Sequence, residues 1–381
     1  MSGRRTAAEL LFYLGLLFVF APFLKGHAVW LPLVFAALWG IAKGSGFAAE
    51  NATCERLREG VVGAVRRQRG ALVFLLLVAA FAFPFVASSY LLDVMTGALL
   101  YAMLASALNI TVGFTGVLVL GFIGFYAIGA YTVGILTVKF ALCSFWLALP
   151  AAGVMALLFG LLLGIPSLRL KGDYLAIVTL GFGEIVKIFC NNLDGLTGGP
   201  NGILGIARPT LGPVSLDSPR AFYWFCLVLL CVVVLVVARL ANSRFGRAWI
   251  AVRENEMAAG ALGIDVFGKP LLSFSLSAFF GGIAGALFAA KQGFISPDSF
   301  TFYESVLVLC MVVLGGIGNV AGSLVGAFLL IVLPELLREF SLYRMLIFGA
   351  LMIAFMIFRP HGLVGSRTIS LEVEDRPDAA A

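Results

Sequence analysis

Charge, histidine and paired cysteine are scarce in this sequence, and each scarcity argues against a class of protein. Only 12% of the 381 residues are charged, about half the share usual in a soluble domain. The two histidines, His27 and His361, each lie at the edge of an apolar run, which argues against a histidine metal site. The six cysteines include no CxxC pair. They are typical of small buried residues, not of metal ligands or a disulfide framework.

Apolar residues, by contrast, are abundant. They make up 61% of the chain, and the mean hydropathy is +1.05. Repeated apolar runs of about 20 residues are long enough to cross a bilayer, and the alternation of a membrane barrel is absent. The sequence therefore predicts an all-α integral membrane protein, a polytopic helical bundle of roughly 10–12 transmembrane helices. Glycines and Asn109 in residues 91–138 predict broken or re-entrant segments. The net charge of +6 is attributed to basic cytoplasmic loops and not to nucleic-acid binding.

Polar segments divide the chain into four parts. Residues 1–42 are predicted to be a transmembrane hairpin; Arg4 and Arg5 also fit a signal peptide, but no convincing cleavage site follows. Residues 43–70 form a basic cytoplasmic connector, 71–364 the main membrane domain, and 365–381 a polar C-terminal tail. Placing every basic loop in the cytoplasm and the loop 192–220 outside puts both termini in the cytoplasm.

A long polar stretch interrupts the second half of the membrane domain. Helix-forming residues run from Ala251 to Leu262, and Gly263 punctuates their end. This pattern predicts a helix outside the bilayer, about 244–265, that docks on a cytoplasmic partner. A solvated loop helix with no partner is the alternative. The spacing of Gly263, Gly268 and Lys269 nearly matches a phosphate-binding loop, but Pro270 replaces the magnesium-binding hydroxyl residue and no strand precedes it.

Two other features suit either structure or transport. Glu184 and Lys187 lie three residues apart in an apolar run, so they share one face of a helix. Because an ionised group at mid-bilayer costs about 2.5–3.5 kcal/mol, they predict either a structural ion pair near the outer end of the helix or a polar path. The glycine-rich residues 196–203, LTGGPNGI, predict a surface turn, or open backbone that meets a ligand or partner.

Several segments occur in an order that resembles the LivM-type permease family of branched-chain amino acid ABC importers, over about residues 90–364. The N-terminal hairpin and connector also resemble the extension found on many LivM-type proteins. The segments are ALNITVGFTGVLVLGFIGFYAIGAYT, SLRLKGDYLAIVTLGFGEIVKI, LTGGPNGI, GRAWIAVRENEMAAGALGID, KQGFISPDSFTFYES, VVLGGIGN and FRPHGLVG.

The resemblance implies a non-catalytic transport subunit in a bacterial inner membrane, with 71–364 as the permease domain. It implies three kinds of protein partner besides membrane lipid: a LivH-type permease subunit, two cytoplasmic ATPase subunits and a periplasmic binding protein. The chain itself would hold no metal and no cofactor, since ATP would bind the partner subunits. The imported substrates would be leucine, isoleucine and valine.

The resemblance also assigns residues. The stretch 244–265 resembles the coupling helix that seats on an ATPase, although Met257 stands where the consensus has glutamate and Glu256 is displaced by one, which leaves the docking register open. The implied ATPase-coupling residues are Arg247, Arg253, Glu254, Asn255, Glu256, Ala258, Ala259 and Gly263. Residues implied to line the substrate path or meet the binding protein are Glu184, Gly198, Gly199, Pro200 and Asn201.

Three alternatives stay open at this point. Related permeases import urea, short amides or other small organic acids such as aromatic acids, and the apolar spans do not specify the substrate. An ion-coupled secondary transporter would need several membrane carboxylates, of which Glu184 is the best candidate. An enzyme is disfavoured, because the sequence offers no histidine cluster and no credible nucleophile–base pair.

Overall fold

A computed structural model describes residues 69–140, 144–170, 172–206, 208–211, 214–215 and 218–336, together with 349, 352–353 and 362–363. The predicted hairpin 1–42, the tail 365–381 and all but the last two residues of the connector 43–70 lie outside the described residues. The predicted span 343–358 lies outside them as well, apart from three positions.

The described residues are almost entirely helical. The α-helices are α1 (Arg69–Val86), α2 (Ser89–Leu108), α3 (Ile123–Gly134), α4 (Phe145–Ser167), α5 (Asp173–Asn192), α6 (Asp194–Thr197), α7 (Pro219–Ala241), α8 (Arg244–Glu254), α9 (Glu256–Ala261), α10 (Gly268–Gln292), α11 (Phe302–Gly315) and α12 (Val320–Leu336). Two π-helical turns extend α2 (Asn109–Thr115) and α3 (Ile135–Lys139), and two 3₁₀ turns cover Gly199–Asn201 and Pro297–Ser299. The strands are two residues each: β1 (Ile203–Leu204), β2 (Thr210–Leu211), β3 (Val214–Ser215) and β4 (Phe294–Ile295).

Length and composition make five of these segments able to cross a membrane. They are Ser89–Thr115, Phe145–Ser167, Pro219–Ala241, Gly268–Gln292 and Pro297–Gly315. Three shorter apolar helices accompany them, Leu77–Val86, Ile123–Lys139 and Val320–Glu335. The predicted all-α, polytopic membrane fold is thereby confirmed.

Glycines allow α10 to run through the centre of the bundle. It packs most extensively against α4 and α3. A Cβ added to Gly282 would lie 2.7 Å from the carbonyl oxygen of Ala152 on α4, and one added to Gly129 on α3 would lie 2.0 Å from the carbonyl oxygen of Gly282. Only glycine permits this approach, which is how membrane helices gain close van der Waals contact.

The predicted break in the region 91–138 is present. After α2 the chain makes the π-helical turn Asn109–Thr115, and Gly116 adopts φ 72°. Residues 116–122 are not helical, and α3 begins at Ile123. Irregular backbone at membrane depth is tolerated where protein covers it. Here the N–H of Leu120 donates to Oγ1 of Thr179 on α5 at 3.1 Å.

The two ends of the bundle differ. One end carries α8 and α9, and we call it the α8–α9 end. At the opposite end, β1 pairs antiparallel with β4, with Ile203 opposite Ile295. There Nζ of Lys139 donates to the carbonyl oxygen of Gly195 at 2.8 Å.

Candidate functional site

The polar stretch after α7 forms two helices instead of the single helix predicted over 244–265. The hydroxyl of Ser243 caps α8 by accepting from the N–H groups of Phe245 and Gly246. Asn255 then ends α8, because its backbone is extended with φ −158°. Its side chain caps α9 by accepting from the N–H of Ala258 at 3.0 Å. Each cap satisfies helix N–H groups that otherwise lack partners. We call α8 and α9 together the helix pair.

Trp249 fixes the helix pair to the membrane bundle. Its side chain is completely buried, and Nε1 donates to the carbonyl oxygen of Lys269, at the start of α10, at 2.8 Å. The indole also stacks on Phe114, with centroids 6.5 Å apart and rings 5° from parallel. Since Phe114 lies in the π-helical turn after α2, a single side chain ties α8 to two membrane helices.

Arg253 makes the second connection, and it points into the bundle. Its guanidinium donates through one NH group to the carbonyl oxygen of Gly113 at 2.6 Å and through the other to Glu254 at 3.0 Å. Gly113 belongs to the same π-helical turn. A π-helical turn leaves backbone groups outside the regular α-helical pattern and is frequently found at functional sites. Arg253 satisfies one of them with a charge-assisted bond, which is about twice as strong as a neutral one.

A third segment of the chain, the loop between α11 and α12, also contacts the π-helical turn after α2. The N–H of Gly318, in the loop between α11 and α12, donates to Oδ1 of Asn109 at 3.0 Å. A Cβ on Gly318 would lie 3.3 Å from the Arg253 guanidinium, and one on Gly113 would lie 2.0 Å from Asn109 Oδ1. We call Asn109, Gly113, Arg253 and Gly318 the Arg253 junction. It connects the helix pair with α2 and with the α11–α12 loop.

The outward surface of the helix pair is apolar at two points. Met257 is 85% exposed and Leu262 is 81% exposed, although both lie outside the membrane-spanning helices. Large exposed apolar side chains in contact with water mark interaction sites when they cluster. Around them lie exposed predicted coupling residues: Arg247, Glu254, Asn255, Glu256, Ala258 and Gly263.

Two predicted coupling residues do not belong to that surface. Ala259 is only 2% exposed, so its methyl group packs inward and supports α9. Arg253 is bound to Gly113 and lies mostly beneath the surface. The motif assigns these residues to one segment of the chain, but it does not say which side each one faces. Met257 and Leu262 were missed as surface residues; the available signal was their apolar character within a polar stretch.

Asp265 closes the segment by capping α10. Its Oδ1 accepts from the N–H of Gly268 at 2.8 Å and of Phe267 at 3.1 Å. These two bonds stabilise the ionised carboxylate and lower the pKa of Asp265 below its ordinary value, and the bond from Gly268 has the larger effect. The nearby charge of Lys269 acts in the same direction. Asp265 thus fixes where α10 begins relative to the helix pair.

Glu184 lies far from the helix pair, in the middle of α5. The structure does not pair it with Lys187, because Lys187 instead lies 3.6 Å from Asp298 in the 3₁₀ turn before α11. Within the described ranges Glu184 forms no hydrogen bond or ion pair, and it is partly exposed. Ile177 and Ile188, 64% and 57% exposed, lie on the same stripe of α5. A carboxylate on such a stripe is costly against lipid and therefore indicates a polar path or a protein partner.

The glycine-rich loop lies at the opposite end from the helix pair. Gly198, Gly199 and Gly202 have positive φ, and the Cβ positions of Gly199 and Gly202 lie 1.8 Å from neighbouring oxygens. These glycines are therefore needed to fold the loop tightly. Pro200 and Asn201 form its exposed tip. Of the predicted loop residues, these two offer side chains to a partner.

The described residues contain no group of three or more histidine, cysteine, aspartate or glutamate side chains placed to hold a metal ion. They do combine apolar helices long enough to span a membrane, a break after α2 inside the bundle, and a surface helix pair fastened to that break. This combination defines the membrane-spanning subunit of a transporter.

Comparison with known proteins gives the family. The sequence model of a protein family, the permease components of branched-chain amino acid transport systems, matches residues 90–356. The chain belongs to this family. The chain is 47% identical over 312 residues to the high-affinity branched-chain amino acid transport system permease protein LivM of Escherichia coli, covering 76% of this chain and 73% of that protein. It is thus also similar to the LivM-type proteins that its motifs resemble.

More distant relatives differ in what their names say they transport. A probable branched-chain amino acid transport permease protein LivM of Methanocaldococcus jannaschii is 29% identical over 240 residues, 58% of this chain and 69% of the relative. The autoinducer 2 import system permease protein LsrC of Salmonella paratyphi B is 25% identical over 308 residues, 77% of this chain and 86% of the relative. No solved structure matches the chain.

Proposed function

We propose that the chain is one of two different membrane subunits of an ATP-driven importer for leucine, isoleucine and valine. The observation that carries this proposal is the helix pair, whose exposed Met257 and Leu262 face away from the bundle while Trp249 and Arg253 hold it to α2 and α10. An outer apolar surface suits a cytoplasmic ATPase subunit, and the inner contacts suit the transmission of its movement.

The mechanism follows from these contacts. Closure of an ATPase dimer on ATP would displace α9, and α8 would move with it. Through Trp249 and Arg253 the displacement would reach the π-helical turn after α2, and through Gly318 the α11–α12 loop. Packed bundles respond to such shifts by switching between discrete arrangements. Alternating access of the path from the two membrane sides would follow.

The second membrane subunit, of the LivH type, would cover the exposed stripe of α5. A partner there would shield Glu184 from lipid and leave it on a shared translocation path. A periplasmic binding protein would deliver the amino acid at the opposite end of the bundle, where Pro200 and Asn201 are exposed. In this orientation the helix pair and both termini would lie in the cytoplasm of a bacterial cell, and the inner membrane would hold the complex.

A different substrate within the same transport class is the second candidate, because a 25% identical relative is named as an autoinducer 2 permease. In either case the chain itself carries out no ATP hydrolysis and holds no cofactor; ATP binds its partners. An ion-coupled secondary transporter is the candidate of a different class, and it would move substrate without any ATPase.

Reconstituted vesicles separate these candidates. The chain would be purified together with its copurifying subunits and sealed into liposomes with ATP and an ATP-regenerating system on the ATPase side. Labelled leucine should accumulate only with ATP, and unlabelled isoleucine and valine should compete whereas urea and acetamide should not. Accumulation of urea or an amide instead would change the substrate. Leucine uptake that needs an ion gradient and ignores ATP would refute the importer.

A further inference from the structure

Two basic side chains lie where membrane-spanning helices reach the α8–α9 end of the bundle. The helix α7 ends at Ala241, α8 begins at Arg244, and Lys269 lies in the first turn of α10. Both α7 and α10 are long and apolar enough to cross a membrane. Arg244 and Lys269 therefore lie at the level where the hydrocarbon of a bilayer meets the lipid head groups.

Aromatic side chains accompany these cations. Nζ of Lys269 lies 5.1 Å from the centroid of the Phe245 ring, and Phe245 follows Arg244 directly in the chain. Phe245 is 43% exposed and Phe267 is 37% exposed. Exposed aromatic rings beside basic groups are typical of helices that lie at a membrane surface. We call Arg244, Phe245, Phe267 and Lys269 the basic edge.

The described residues do not neutralise the charge of the basic edge. Arg244 is exposed, and within the described ranges neither it nor Lys269 forms an ion pair with a carboxylate. Asp265 is close enough to interact with Lys269, but its Oδ1 accepts from two backbone N–H groups. Arg247, one turn along α8 from Arg244, is a further exposed cation. These three cations outnumber the one carboxylate by two charges.

The apolar surroundings of the basic edge favour a lipid as its partner. Leu272, less than one turn beyond Lys269 on α10, is exposed, so apolar surface continues from the basic edge along the membrane span. The exposed residues that suit an ATPase subunit, Met257 and Leu262, lie instead on α9 and directly after it. Basic groups at the cytoplasmic end of membrane helices bind anionic lipid head groups in other proteins.

We propose that the basic edge binds the head group of an anionic phospholipid such as phosphatidylglycerol. The phosphate accepts from the Lys269 ammonium and the Arg244 guanidinium, and an acyl chain follows Phe245 and Leu272 into the hydrocarbon. A zwitterionic phospholipid carries its own ammonium group and leaves the excess positive charge unbalanced, so the basic edge prefers a head group with net negative charge. The bound lipid holds the start of α8, which Trp249 joins to α10, at the membrane surface.

Photoactivatable phosphatidylglycerol, with a diazirine on its acyl chain near the glycerol, tests this site. The chain and the subunits that copurify with it are placed in phosphatidylcholine vesicles that contain a small share of the probe. The label should map to residues 243–249 or 266–273, and excess phosphatidylglycerol should prevent it whereas inorganic phosphate should not.

Arg244→Gln and Lys269→Gln should each reduce labelling about five-fold, the effect of one basic residue near an anionic surface. Arg244→Lys keeps the charge and should label as the wild type does. Arg220→Gln is the matched control, because Arg220 is an exposed arginine in the first turn of α7, at the opposite end of the bundle.

Three results would overturn the proposal. Unchanged labelling in both glutamine variants, or a label that maps elsewhere, would mean that the basic edge holds no lipid. Competition by inorganic phosphate would indicate a site for soluble anions. Loss of the ATPase subunits from Arg244→Gln with normal lipid labelling would assign Arg244 to the ATPase surface. Should Lys269→Gln fail to assemble, Arg244→Gln decides, because the exposed Arg244 side chain has no hydrogen bond or ion pair with any described residue. Labelling needs neither ATP nor a substrate, so its outcome is independent of the proposed function.

Discussion

Replacing Arg253 with alanine should uncouple ATP hydrolysis from transport without removing the ATPase. The Arg253 guanidinium donates at 2.6 Å to the carbonyl oxygen of Gly113 in the π-helical turn, and its side chain is only 21% exposed. A hydrogen bond that involves a charged group is worth about 1.5–3 kcal/mol. If this bond exists in one arrangement of the bundle and not in the other, its loss shifts their balance by about 10- to 150-fold.

The assay compares leucine uptake and ATP hydrolysis in the same vesicles. Arg253→Ala should keep the ATPase subunits bound while uptake per ATP hydrolysed falls about ten-fold or more. Arg253→Lys keeps the positive charge and one donor group. Its uptake per ATP hydrolysed should lie between those of the wild type and Arg253→Ala, since lysine lacks the forked guanidinium that reaches Gly113 and Glu254 together. Arg239→Ala makes a matched control. Arg239 is an exposed arginine in the last turn of α7, at the α8–α9 end of the bundle. It has no hydrogen bond or ion pair with any described residue.

Two results would refute this reasoning. Unchanged uptake per ATP in Arg253→Ala would mean that the junction transmits nothing. Loss of the ATPase subunits from the variant, with Arg239→Ala normal, would mean that Arg253 belongs to the docking surface itself, as its place in the motif first implied.

Three further predictions follow from single contacts. Met257→Asp, on the exposed surface of α9, should weaken ATPase binding in a pull-down by about ten-fold while the bundle stays intact, and unchanged binding would contradict the docking role. Ala259→Lys should abolish ATP-dependent uptake while the protein remains in the membrane, because a buried methyl becomes a charge; normal uptake would count against it. Gly282→Val should destabilise the bundle by about 1–3 kcal/mol or more, measured as a lower melting temperature in detergent, since its Cβ would lie 2.5 Å from that of Ala156.

The carboxylate of Asp265 gives a pH-dependent prediction. Its folded pKa is lowered by the N–H groups of Gly268 and Phe267, so the cap contributes stability above the unfolded pKa of about 4. That contribution is lost as the pH falls through the folded value. Asp265→Ala should therefore melt below the wild type at pH 7, and the difference should shrink as the pH drops below about 4. A difference that persists unchanged at pH 3 would contradict the cap.

Much of the fold follows from the sequence because the bilayer restricts the choices. Runs of about 20 apolar residues in lipid have to be helices, and glycine density correctly predicted the break after α2. The sequence did not predict its form, a π-helical turn at Asn109–Thr115 followed by the non-helical residues 116–122. That form depends on long-range contacts such as Leu120 with Thr179, which no local pattern contains.

The helix pair shows the same division between local and long-range information. Helix-forming residues predicted its position, but the single helix over 244–265 is two helices because Asn255 can cap α9 only by leaving the helical path of α8. Which side each residue faces depends on the bundle beneath it. Trp249 is buried against α2 and α10, Ala259 packs inward, and Arg253 reaches Gly113, 140 residues earlier in the chain. The motif alone contains none of these relations.

Copurification tests the central claim most directly. The tagged chain would be extracted gently from native membranes, and its partners identified by mass spectrometry, beside Met257→Asp and a control at an exposed residue of the opposite end, Leu204→Asp. We expect the wild type and the control to bring down a second permease and ATPase subunits, and Met257→Asp to keep the permease but lose most of the ATPase. A chain that came out alone, with uptake in vesicles driven by an ion gradient and indifferent to ATP, would contradict the account.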